Sequence, residues 1–178
     1  MEQNVKKLID YALDCIEKNN CLPTTKQSAQ ELGINESEVD KIKADTKYKD
    51  FIKLRKRFNS FDKERKNDFG GFRAFYEWYS AQEPKCYYCG TTKAQLEQLF
   101  NDELILSTKF NPTLHIEQKT PKQGYKSTNR VLACALCNNA KSDMISDENF
   151  KKYFGKQMRE FITDLLSGKI TNNIRVRE

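Results

Sequence analysis

The sequence predicts an α+β protein, mainly helical, in which a small strand pair is stapled by four cysteines and preceded by a helical domain. Three observations predict it. Apolar residues recur at helical spacing through much of the chain. Two Cys-x-x-Cys pairs, Cys86/Cys89 and Cys134/Cys137, stand about 45 residues apart, a spacing that lets two tight knuckles close a tetrahedral four-cysteine zinc site. Between and beside the pairs lie short stretches of β-branched and alternating apolar residues that read as strands.

Size and charge narrow the classes. The 178 residues suit one compact domain plus a small helical one, and a 38% hydrophobic content allows a core of modest size, which a metal site would supplement. The formal net charge of +6 has the sign expected for a nucleic-acid partner. No apolar run approaches the ~18 residues of a membrane span. The first twenty residues mix acidic and basic side chains, unlike a signal peptide. Six cysteines in such a chain imply a reducing, cytoplasmic setting and metal ligation rather than disulfides. Cys15 and Cys21, outside the pairs, read as a small core residue or a free thiol.

Val5, Leu8, Ile9, Ala12, Leu13 and Ile16 predict a helix over 3–18, ended by Asn19, Asn20 and Pro23. Thr24 or Thr25 caps the next helix, to Leu32. Gly33 makes the left-handed stop, and Asn35 caps a third helix over 36–44. Ala29, Gly33 and Val39, with Leu32 and Ile34 as further core positions, resemble a helix-turn-helix, a pattern that a plain helical hairpin shares. Residues 47–66 carry nine Lys or Arg against three acids, a local excess equal to that of the whole chain. Within that run Phe51, Ile52, Leu54, Phe58 and Phe61 mix with Lys53, Arg55, Lys56 and Arg57, which predicts a helix with one buried and one basic face. The basic face suits DNA phosphates, although such a run is also an ordinary solvated surface. The break Asp68-Phe69-Gly70-Gly71 divides a recognition domain, 1–68, from a second domain, 69–178. Phe72, Phe75, Tyr76 and Tyr79 give an aromatic-faced helix expected to pack on the zinc module. Residues 92–100 read as helix, LILSTKF and TLHIEQK as strands, and Arg130–Ala133 as a third strand running into a helix over 135–144. Ser146 caps a last helix whose buried stripe is Phe150, Tyr153, Phe154, Phe161, Ile162, Leu165 and Leu166. The tail ITNNIRVRE is extended or disordered.

The central stretch carries the chemistry. On a strand, His115, Glu117 and Lys119 share one face and Leu114, Ile116 and Gln118 the other. Glu117 is a hard ligand suited to Mg²⁺ or Mn²⁺, and an amide oxygen of Asn138 or Asn139 offers a second. Lys119 and Lys141 are cations placed to neutralise a phosphate. Such a site suits phosphodiester hydrolysis.

CYYCG, the carboxylate within HIEQKTPKQGY, and STNRVLACALCNNAKSD together resemble the HNH, or ββα-metal, endonuclease superfamily in its four-cysteine, zinc-stapled branch. The resemblance covers roughly residues 84–150. It implies a two-stranded hairpin and a helix around one divalent cation, with Cys86, Cys89, Cys134 and Cys137 holding structural zinc. It makes Glu117 and Asn138 ligands of Mg²⁺ or Mn²⁺, and Asn129 the central asparagine that braces the loop. One departure stands out: the family's general-base histidine follows the acidic ligand, and here that position is Gln118, which cannot accept a proton at neutral pH. Three readings remain open. Gly124-Tyr125 resembles a restriction-type and phage-type branch in which the tyrosine lies near the scissile phosphate. His115, the one histidine of the chain, shares a face with Glu117 and can serve as base. Or the site is degenerate and only binds.

The resemblance therefore implies a metal-dependent endonuclease acting on double-stranded DNA, with a type II restriction enzyme first and a homing or phage-type nuclease second. A homodimer is expected, so that each strand meets one site. No membrane and no small-molecule substrate are expected. A non-catalytic zinc-containing DNA-binding regulator is the alternative from another class.

Overall fold

The computed structural model describes residues 2–105 and 111–172. The chain is α+β and mostly helical, with one two-stranded sheet among the described residues. It divides into two compact units, Met1–Ala81 and Gln82–Glu178.

The first unit holds six helices: α1 (Glu2–Asn19), α2 (Thr25–Leu32), α3 (Glu36–Lys43), α4 (Thr46–Asn59), α5 (Lys63–Phe69) and α6 (Phe72–Ser80). Helix α1 buries the six residues of its apolar stripe. Thr24 and Asn35 each close a capping box, with Gln27 and Glu38, which satisfies orphan amides at both helix starts. Gly33 turns the chain between α2 and α3 at φ +66°. Ala29, Val39 and Ile42 are buried there, while Leu32 and Ile34 are half-buried.

Two sequence expectations are corrected in this unit. The basic run over 47–66 is two helices, because Asp62 accepts from the Arg65 amide at 2.8 Å and starts α5 anew. The aromatic helix α6 packs within the first unit: Phe75, fully buried, lies 5.5 Å from Phe58 and 5.0 Å from Phe69 between ring centroids. Phe72 lies 5.5 Å from Phe51. Rings at these separations add attraction beyond burial itself. The expected break at Asp68–Gly71 is thus the turn from α5 to α6 inside one core, and the chain divides after Ala81.

The second unit holds α7 (Lys93–Asn101), β1 (His115–Gln118), β2 (Arg130–Ala133), α8 (Ala135–Lys141), α9 (Asp147–Tyr153) and α10 (Gly155–Leu166). The strands pair antiparallel, with Glu117 opposite Val131 and His115 opposite Ala133. Leu114 and Ile116 are buried, as are all four residues of β2. The strand expected over 104–110 falls mostly outside the described residues, as does most of the tail. The single last helix expected after Ser146 is instead α9 and α10. They part at Phe154, and α10 opens with Gly155, where a Cβ would lie 2.6 Å from the Tyr88 carbonyl oxygen. Phe150, Ile162 and Leu165 are buried; Tyr153, Phe154 and Phe161 are exposed, against expectation.

Phe75→Ala removes the ring at the centre of the first unit's aromatic core. It is expected to cost about 3–5 kcal/mol, seen as a lower urea midpoint by circular dichroism.

Candidate functional site

The four sulfurs converge. The first knuckle closes when the Gly90 amide donates to the Cys86 carbonyl and the Cys86 amide to the Thr91 carbonyl, both at 2.8 Å. Gly90 sits at φ +73°, and a Cβ there would collide with the Arg159 guanidinium, whose Nε donates to the Cys89 carbonyl at 2.6 Å. The second knuckle is the start of α8, where the Cys137 amide donates to Cys134 Sγ at 3.4 Å. All four sulfurs are buried and lie within 4.8 Å of one another. Cys89 Sγ and Cys134 Sγ stand 3.8 Å apart, the edge of a tetrahedron with metal–sulfur bonds of about 2.3 Å. The cluster can therefore bind a metal such as zinc. Cys15 is half-buried and Cys21 exposed, and neither belongs to it. The Tyr87 amide donates to the Leu132 carbonyl at 2.7 Å, which ties the first knuckle to β2.

Next to this staple lies a carboxylate–ammonium pair. Glu117, on β1, has a side chain 12% exposed, and Lys141, at the end of α8, is fully buried. Lys141 Nζ donates to Glu117 Oε1 at 3.0 Å, to the Gln118 carbonyl at 3.1 Å and to the Ser142 carbonyl at 3.3 Å. An ammonium has three donors, so all of its capacity is spent inside the protein. Burial pushes the Glu117 carboxyl up, and the hydrogen bond and charge of Lys141 pull it back without cancelling the shift. Asn138 stands three residues before Lys141, so it shares that face of α8; its side chain is half-buried, and Asn139 is exposed.

The loop from β1 to β2 is braced from within. Asn129, 7% exposed, accepts from the Thr120 amide at 2.8 Å and donates to the carbonyls of Thr120 at 3.0 Å and Gly124 at 2.7 Å. Gln118 turns its oxygen to the Lys122 amide at 3.0 Å. Tyr125 is half-buried, and its carbonyl accepts from Arg130 Nη1 at 3.0 Å. His115 is half-buried on β1.

The basic candidates separate by environment. Lys53 and Lys56 are exposed. Arg55 bonds the Asn20 side-chain oxygen at 2.7 Å and lies over the Phe72 ring. Arg57 lies over Tyr79, and burial lowers its pKa. Lys119 lies 5.3 Å from the Tyr87 ring centroid. Lys141, expected to face phosphate, is fully buried instead. Sequence reasoning also missed Lys151, which lies 3.9 Å from the Tyr87 centroid, and Arg159. Both line a cleft of about 540 Å³ beside the first knuckle, with Lys85 and Gln95. Tyr88 was missed too: it is 3% exposed, and among the described residues its hydroxyl has no hydrogen-bond partner. None of these carries a spacing signal.

No family model matches the chain, and no curated protein does. A solved structure, described as showing a mechanism of DNA perturbation by the rare-cutting HNH restriction endonuclease PacI, is similar at 20% identity. The match covers 62% of this chain and 78% of that one, with a TM-score of 0.47.

Replacing Cys134 by Ser removes a sulfur while leaving a hydroxyl that can still cap α8. The expected outcome is a zinc content well below one ion per chain and loss of the second unit's cooperative melting; full zinc by elemental analysis would contradict the four-sulfur site. Asn129→Ala leaves the Thr120 amide and the Thr120 and Gly124 carbonyls without their side-chain partner, at a cost of about 0.5–1.5 kcal/mol per bond. Faster hydrogen exchange at the Thr120 amide would report it.

Proposed function

We propose that this chain is a metal-dependent HNH endonuclease that hydrolyses phosphodiester bonds of double-stranded DNA, in the role of a type II restriction enzyme. The observation that carries the reading is the convergence of Glu117 on β1 with the Lys141 face of α8, beside four sulfurs spaced for zinc. A strand pair, a helix, a hard carboxylate and a neighbouring amide are the parts that such a site requires.

The donor set fits a hard divalent ion: Glu117 is partly exposed, and Asn138 lies on the same helix face as its partner Lys141. Glu117 and Asn138 would hold the cation, which would supply Lewis-acid polarisation of the phosphate and charge stabilisation of the departing oxygen. The chain's own residues do the rest. Asn129 fixes the loop that carries Tyr125, and Tyr125 orients or activates the attacking water. Gln118 is occupied by the Lys122 amide and takes no proton. Lys53 and Lys56, exposed on α4, and Lys119 contact phosphates, and the α2–Gly33–α3 segment supplies helix-turn-helix recognition. Two copies, related by a two-fold axis, present one site to each strand.

A second reading has an observation in its favour. Lys141 already pairs with Glu117, as it would in a DNA-binding regulator that keeps the fold as scaffold. Plasmid cleavage with Mg²⁺ or Mn²⁺ separates the two. The nuclease reading expects cleavage by the zinc-loaded chain and a loss of at least about a hundredfold in Glu117→Ala. Binding of the same plasmid without any cleavage supports the regulator.

The base is tested in the same assay. Tyr125→Phe is expected to lower the cleavage rate by about tenfold or more, with His115→Ala doing less. The reverse order assigns the base to His115.

A further inference from the structure

We propose that Lys141 is a positioning residue that doubles as a built-in competitor for the divalent cation at Glu117, holding the carboxylate in place and keeping the metal's affinity low. The inference rests on the reading of Glu117 as a metal ligand.

A lysine two residues before Asp143 in NNAKSD reads as a surface cation. The structure gives it the opposite environment. Its side chain is fully buried and its three donors are satisfied by Glu117 Oε1 and the Gln118 and Ser142 carbonyls. The third of these is built at a local cost, since Ser142 ends α8 at φ +52°, ψ −150°, a conformation that non-glycine residues rarely adopt. The end of α8 is thus shaped to seat the ammonium. A group so enclosed and saturated cannot donate to a DNA phosphate.

Its charge acts on Glu117 instead. With Lys141 in place the pair is neutral, as a carboxylate of −1 meets an ammonium of +1. A divalent ion on Glu117 then meets a resident cation whose nitrogen is 3.0 Å from one carboxylate oxygen. At such range, in a site shielded from water, like charges repel strongly. The ion must share Glu117 with Lys141 or displace it, and either weakens binding. In return Lys141 keeps Glu117 turned towards the end of α8 before any metal arrives, which lowers the cost of ordering the ligand.

Mn²⁺ titration of the zinc-loaded full chain, followed by electron paramagnetic resonance, tests this without reference to cleavage. Lys141→Gln keeps a donor for the Gln118 carbonyl, and Lys141→Met keeps the length. Either variant, once zinc content and melting show that it is folded, is decisive. The expected result is Mn²⁺ binding tightened by about tenfold or more over wild type, lost again when Glu117→Gln is added. Equal or weaker binding in the folded variants overturns the proposal; if Glu117→Gln still abolishes that binding, Glu117 stands as a ligand. No Mn²⁺ binding in any form overturns the proposal and removes Glu117 from the metal site as well.

Discussion

The meeting of four sulfurs is the constraint on which the second unit depends. A lone two-stranded sheet of four-residue strands is marginal in water, and here both strands lie between cysteines that must converge. Cys134 has three tasks at once: it follows the last residue of β2, caps α8, and contributes a sulfur. The direction in which α8 leaves the sheet follows from that coincidence. So does the placement of Lys141, two turns later, against Glu117. When a metal such as zinc binds the cluster, its binding free energy becomes folding free energy for this whole arrangement. Tyr87 joins the first knuckle to β2, and Arg159 of α10 anchors on the Cys89 carbonyl, so the staple gathers both the sheet and the last helix.

Against that economy the Glu117–Lys141 pair is an expense. Burying an ion pair costs desolvation that its attraction does not reliably repay, and an apolar pair of similar volume would often be more stable. The cost is compounded at Ser142, whose backbone bends to supply a third acceptor. Stability alone explains neither feature. A carboxylate kept partly accessible and held in one orientation is what the proposed ligand role of Glu117 would require.

Much of the fold was legible because local chemistry decides it. Thr24, Asn35 and Ser146 cap helices where polar side chains precede apolar stripes, and Gly33 takes the left-handed turn that its lack of a Cβ permits. The cysteine spacing pointed to the cluster, and the alternation Leu114, Ile116 pointed to the buried face of β1. What stayed hidden depends on partners distant in sequence. At the split between α9 and α10, Gly155 meets the Tyr88 carbonyl, far earlier in the chain, so closely that a Cβ would not fit. The exposure of Phe154 and Phe161 follows from how those two shorter helices pack, which periodicity over one long helix misjudges. The packing of α6 in the first unit depends on Phe51, Phe58 and Phe69. Lys141 was misread because the pattern around it is polar, and its burial is set by Glu117, 24 residues earlier.

The site's unusual feature, glutamine at 118 where the HNH resemblance expects histidine, takes a more definite form in this geometry. Gln118 serves the loop, turning its side-chain oxygen to the Lys122 amide while its carbonyl receives Lys141. It is a structural residue on both counts. Its loop is fixed at the far end by Asn129, which grips Thr120 and Gly124, and by Arg130, which holds the Tyr125 carbonyl. Three side chains thus brace the loop, Gln118, Asn129 and Arg130, and Arg130 bonds the Tyr125 backbone directly. His115 lies in β1 opposite Ala133, two residues before Glu117. Precise placement of any group on this loop needs a supporting shell, and the bonds of Gln118, Asn129 and Arg130 build one for the loop that carries Tyr125.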